Sequence, residues 1–182
     1  TSADQGRDDR QLGVVCATGQ STFTGPGCMD WAGGVTGGDA DSGYAIQGNI
    51  LVGERVVQDM ERAWLEYGGL ELAPRLLEAL MAGDLAGGDK RGRQSAALYA
   101  VAPGAGYDHC GVLADLRVDD HPEATQELAR LLDLHDLYFG PPGTVLPLEG
   151  PLADEVRAHL LVLGRSQPDL RDALEDWAGE AN

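Results

Sequence analysis

Residues 96–102 (AALYAVA) and 111–118 (GVLADLRV) are two short apolar, β-prone runs, and residues 123–137 (EATQELARLLDLHDL) follow them with leucines at helical spacing. Each run has the length and composition of a buried strand. Leu128, Leu131, Leu132 and Leu134 recur at the intervals that give a helix one apolar side. Two strands and then a helix therefore anchor this part of the chain.

Working outward, residues 12–17 and 21–24 flank Thr18-Gly19-Gln20 and predict a hairpin. Residues 25–43, rich in Gly, Asp and Pro with Trp31 as the large apolar anchor, predict a long loop. Residues 44–52 predict a strand interrupted at Gly48, and residues 54–67 an amphipathic helix carrying Val56, Val57, Met60, Ala63, Trp64 and Tyr67. A second helix is expected over 70–82, with Pro74 in its first turn and Gly83, Gly87 and Gly88 stopping it. Pro141-Pro142-Gly143 marks a boundary, beyond which 152–163 and 168–177 predict two short helices. The order gives an α+β layered fold, with a principal domain over 1–140 and a small helical one over 145–182.

With 182 residues the chain can bury a proper core, and with 5% aromatic residues that core rests on Leu, Val and Ala. The formal net charge of −17 repels phosphate backbones and anionic lipid, so neither nucleic acid nor a membrane surface is an expected partner. No apolar run is long enough to span a bilayer. Cys16, Cys28 and Cys110 show no CxxC and no zinc-ligand spacing, so free thiols in a reducing compartment are expected, which favours the cytoplasm.

Three segments carry side chains suited to chemistry. Residues 87–95 place Lys90, Arg91 and Arg93, with Gln94, among glycines at the mouth of a strand. Glycine lets backbone approach a ligand, and arginine pairs with carboxylate in two-pronged fashion. The P-loop ending is missing, and an arginine-rich turn paired with the chain's own carboxylates is the competing reading. Residues 117–122 hold Asp119, Asp120 and His121, a set able to bind a cation, to do acid–base work or to cap the following helix. Gln47-Gly48-Asn49 puts an amide on either side of a glycine, able to present donors to a bound carbonyl or to satisfy a bulge. His109, His135 and His159 are isolated from one another and read as surface or packing residues. No metal site and no cofactor is expected.

Five of these stretches together resemble the family called domain of unknown function 1028. They are Arg10-Gln11-Leu12-Gly13-Val14-Val15, the Thr24–Cys28 loop with Trp31-Ala32-Gly33, Gln47-Gly48-Asn49, Gly92-Arg93-Gln94-Ser95-Ala96-Ala97-Leu98, and Asp115-Leu116-Arg117-Val118-Asp119-Asp120-His121. Leu146-Pro147-Leu148 and Leu174-Glu175-Asp176-Trp177-Ala178-Gly179 resemble the peptidoglycan-binding-like domain appended to that family. The resemblance implies an αββα sandwich of the N-terminal-nucleophile hydrolase type, here without its first strands. It implies a hydrolase of a small amide or peptide bond, whose nucleophile would be an N-terminal Thr, Ser or Cys of an upstream segment. Arg91 and Arg93, with Gln47 and Gln94, would hold the substrate, Asn49 would stabilise the oxyanion, and Asp119 or His121 would orient neighbouring groups. Thr1 is not expected to be that nucleophile, because a polar stretch separates it from the first β-prone run. The alternative is a non-catalytic module binding a ligand or a cell-wall peptide. An incomplete sandwich would leave an exposed sheet edge, and a homo-oligomer is expected from it.

Overall fold

The structure, a computed structural model, describes residues 3–39, 41–140 and 146–181. Thr1 and the Pro141-Pro142-Gly143 stretch lie outside the described residues. The chain divides into two compact units, residues 1–140 and 141–182.

Among the described residues the first unit contains six strands and three α-helices. Strands β1 (Gln11–Cys16) and β2 (Gly19–Thr24) form an antiparallel hairpin with Leu12 opposite Phe23. β3 (Gly33–Gly37) and β4 (Tyr44–Gly48) form a second, and β5 (Ala96–Val101) and β6 (Val112–Val118) a third. The helices are α1 (Arg55–Glu66), α2 (Leu72–Leu85) and α3 (Ala124–Phe139). The fold is thus mixed α and β, with small antiparallel sheets.

Two expectations are corrected here. The stretch 25–43 is not all loop, because β3 lies within it. Its glycines serve close packing: a Cβ on Gly34 would stand 2.7 Å from the Ile46 carbonyl oxygen, and one on Gly33 2.6 Å from the Trp31 ring. Nor does Gly83 stop the second helix, which runs on to Leu85. Gly83 is buried instead, and a Cβ there would meet Met60 Cγ at 2.7 Å, so the missing side chain is what lets α2 approach α1. Gly87 (φ 116°) and Gly88 (φ 55°) end the helix, with the Gly88 amide donating to the Gly83 carbonyl at 3.0 Å.

Helix α2 is buried on two sides. Ala73 and Leu77 join Leu98, Ala100, Ala114, Val118, Leu128 and Leu132 in a core formed with β5, β6 and α3. Ala79 faces a second core of Tyr44, Ile46, Val57 and Trp64. There the Tyr44 hydroxyl donates to Glu61 at 2.7 Å, and the Arg75 guanidinium stacks 3.7 Å from the Trp64 ring centroid. The Gln11 side-chain amide joins the first two hairpins, donating to Thr24 Oγ1 and to the Gly33 and Gly48 carbonyls at 2.8–3.2 Å. The outer sides stay open: Leu12, Val14 and Val15 on β1, and Tyr99 and Val101 on β5, are exposed.

The second unit holds α4 (Gly150–Val162) and α5 (Leu170–Ala181), with Leu160 and Ala173 buried and Arg165 paired to Asp176 (2.9 Å) and to Glu180. No helix among the described residues is long and apolar enough to cross a membrane.

The phase of α3 has a direct test. Leu128 is fully buried, whereas Leu137 is 76% exposed. Leu128→Ala is expected to cost roughly 3 kcal/mol and Leu137→Ala less than about 0.5 kcal/mol, read from urea unfolding midpoints. Equal losses would contradict the packing of this helix.

Candidate functional site

The site begins where α2 ends. After Gly88 the chain runs alongside residues 50–52: the Val52 amide donates to the Gly88 carbonyl (3.0 Å), the Lys90 amide to the Ile50 carbonyl (2.8 Å), and Leu51 bridges Asp89. On its other side Leu51 exchanges backbone hydrogen bonds with Trp31 at 3.0 and 3.3 Å. Ile50, held in this junction, adopts φ 60°, a costly conformation for a β-branched residue that the bonds on either side impose.

Between this junction, α2 and the start of α3 lies a cleft of about 780 Å³. Gln47, Arg91, Arg93 and Gln94, the four side chains expected to bind substrate, line it together. Leu51, Val56, Met60 and Leu80 supply apolar wall, and glycines 48, 83, 87, 88 and 92 leave backbone within reach. Lys90 is turned to the Asp30 carbonyl, to which its Nζ donates at 2.7 Å.

Both arginines are held by carboxylates of the same cleft. Arg91 donates from Nε and a terminal nitrogen to Asp89 at 3.0 and 2.7 Å, and the Arg91 backbone amide adds a third bond at 2.7 Å. These bonds hold the Asp89 carboxyl at a pKa of about 2, the Arg91 side chain being the largest cause and its backbone amide the next. Arg93 Nε donates to Asp84 Oδ1 at 2.6 Å, and the Thr125 hydroxyl donates to Asp84 Oδ2 at 2.8 Å. The Asp84 side chain is only 11% exposed. The pairing holds the Arg93 guanidinium above its ordinary pKa, through the Asp84 bond first.

The three residues expected to act in catalysis do not line this cleft. Asp119 pairs with Arg117 at 2.8 Å with both side chains largely exposed. His121 Nδ1 accepts the Glu123 amide at 3.1 Å just ahead of α3, while its own backbone amide donates to the Gln94 carbonyl at 2.8 Å. Asn49 directly follows Gly48 of the lining, and its Oδ1 is buried without a partner among the described residues. Asp84 and Thr125 escaped the sequence reading. Thr125 stands three residues before Leu128 and seven before Leu132, so a hydroxyl in an apolar stripe was the available signal. Among the described residues no three His, Cys, Asp or Glu side chains gather as a metal ion would require. Cys16, Cys28 and Cys110 are free thiols.

The second unit holds an apolar cavity of about 540 Å³, lined by Val156, His159, Leu160, Leu163, Leu174 and Trp177 among others. Its lining offers little that could hydrogen-bond a polar ligand.

The model of the family described as "Family of unknown function (DUF1028)" matches residues 1–128. A crystal structure of a Silicibacter pomeroyi protein from the same family is similar at 28% identity and TM-score 0.61, covering 85% of this chain and 59% of that one. The chain therefore spans 59% of the length of that relative. No curated protein matches the sequence. The chain belongs to the DUF1028 family.

Asp89 makes the site's electrostatics measurable. Its folded pKa of about 2 lies below the ordinary 3.8, so its contribution to stability is complete above pH 4 and is lost as pH falls towards 2. Because Arg91 is largely exposed, Asp89→Asn is expected to cost at most about 1 kcal/mol at pH 7. The gap between variant and parent urea midpoints should narrow between pH 4 and pH 2. A constant gap would contradict the pairing.

Proposed function

We propose that this DUF1028 member hydrolyses a small amide or peptide bond, with the cleft beside α2 as its substrate site. The observation that carries this is the gathering of Gln47 and Gln94 with Arg91 and Arg93 in one cleft. Neither glutamine side chain has a hydrogen-bond partner among the described residues. A carboxamide both donates and accepts, as an amide substrate requires. The arginines, fixed by Asp89 and Asp84, orient the substrate's carboxylate at little entropic cost.

The fold that accompanies this function is the αββα sandwich of N-terminal-nucleophile hydrolases. In its favour, α2 and α3 cover one face of β5–β6 while Tyr99 and Val101 present apolar surface on the other, as a facing sheet would bury. The nucleophile is an N-terminal Thr, Ser or Cys of the complete protein. Thr125 does not suit that role, because it is buried and its hydroxyl already donates to an ion-paired carboxylate. Asn49 is assigned to the oxyanion as the amide next to the lining. His121 supports the cleft from outside, through its backbone bond to Gln94, and Asp119 orients the neighbouring Arg117.

The net charge of −17 favours a small-molecule or peptide substrate over nucleic acid or anionic membrane. Three free thiols suit a reducing, cytoplasmic setting. Exposed Leu12, Val14 and Val15 on β1 favour self-association, so light scattering at micromolar concentration should give more than one protomer, and a strict monomer would contradict this.

Amine release from a panel of dipeptides and N-acyl amino acids by the complete protein tests the activity. Gln47→Ala and Gln94→Ala should each lower kcat/KM about tenfold, the worth of one hydrogen bond to a neutral group. Ligand binding without amine release from any member would establish the rival reading, a non-catalytic binding module. The second unit's apolar cavity gives a cell-wall peptide few hydrogen-bond partners, which disfavours the cell-wall form of that rival.

A further inference from the structure

The cleft's charges cancel. Two guanidinium groups, Arg91 and Arg93, face two carboxylates, Asp89 and Asp84, within one lining. A ligand that is only an anion approaches against a net charge of −17 and meets arginines already paired. One that is only a cation meets carboxylates already paired. The pairs nevertheless keep unused hydrogen-bonding capacity. Arg93 spends only Nε on Asp84, and its terminal nitrogens have no partner among the described residues. Asp89 Oδ2 accepts one bond, from Arg91, and its side chain is 29% exposed. A carboxylate oxygen can accept a second. Asp89 and Arg93 stand on either side of the Gly92 turn, so a free acceptor and free donors of opposite charge flank one bend.

Resting on the assignment of this cleft as the ligand site, we propose that its ligand is zwitterionic: a small dipeptide with both termini free. Its carboxylate takes the terminal nitrogens of Arg93, its ammonium takes Asp89 Oδ2, and the amide between them meets the Gln47 and Gln94 carboxamides. A zwitterion has no net charge, so the acidic surface does not repel it, and each of its ends answers one of the two unspent hydrogen-bonding positions. The order of contacts also sets the selectivity: blocking either terminus removes one charge-assisted hydrogen bond and leaves its partner to water.

Isothermal titration of the complete protein with L-alanyl-L-alanine, its N-acetyl derivative and its C-terminal amide tests this. The free dipeptide should bind at least about tenfold more tightly than either blocked form, the loss expected for one charge-assisted bond. Arg93→Gln should abolish the preference over the amide, and Asp89→Asn the preference over the acetylated form. The wild-type series alone decides the matter if a variant fails to fold. Equal or tighter binding of either blocked form, or no binding of any of the three at about 10 mM, overturns the assignment. Amine release is measured separately on each of the three ligands, so that heat of cleavage is distinguished from heat of binding. Selective binding of the free dipeptide without hydrolysis would remove the hydrolase and keep the zwitterion site. Hydrolysis of the acetylated dipeptide with no preference for the free one would do the reverse.

Discussion

A carboxylate at the wrong end of a helix holds this molecule's centre together. Asp84 lies in the last turn of α2, where the helix dipole disfavours negative charge, and its side chain is nearly removed from water. It is tolerated because Arg93 Nε and the Thr125 hydroxyl both donate to it. One of these comes from the turn before β5 and the other from the first turn of α3, so satisfying Asp84 fixes α2, that turn and α3 against one another. Since α2 also contributes to both cores of the first unit, its position sets where α1, α3 and the strand pairs packed on them lie. The cleft follows from this geometry: it is the space left beside α2 once Asp84 has drawn its partners in.

Much of the framework was legible in the sequence because burial alone decides it. The β1–β2 hairpin, α1, β5, β6 and α3 are runs in which hydrophobic period and turn residues agree. The misread places are those where glycine packs instead of turning. Gly33, Gly34 and Gly37 look like loop, yet they form a strand because Trp31, Ile46 and Tyr44 leave no room for a side chain. Gly83 looks like a helix stop, yet it is the contact point of α1 and α2. Misreading Gly83 also hid Asp84, since a helix ending there would have left that carboxylate in solvent.

The candidate site was legible in part for a related reason. Glycine and arginine at a strand mouth mark a backbone that can approach a ligand, and Gln47, Arg91, Arg93 and Gln94 do share one cleft. Pairing is a tertiary property that spacing does not reveal. Asp89, two residues from Arg91, and Asp84, nine from Arg93, occupy both guanidinium groups. Likewise Asp119 and His121 lie at the end of β6 as the sequence implied, but one pairs outward with Arg117 and the other accepts the Glu123 amide ahead of α3. In the folded chain the turn is an array of alternating charges, the arginine-rich turn paired with the chain's own carboxylates that was the competing sequence reading.

Whether that array exists in solution is best read at the arginine side chains themselves. A proton–nitrogen correlation spectrum of the native protein should show the Nε–H signal of Arg93 resolved from the free-arginine position and slow to exchange, because its proton is held by a nearly buried carboxylate. Asp84→Asn should return that signal to the free position while leaving the Arg91 signal in place. If both arginine signals coincide with free arginine in the unmodified protein, the two ion pairs do not form, and the neutral cleft built on them is contradicted.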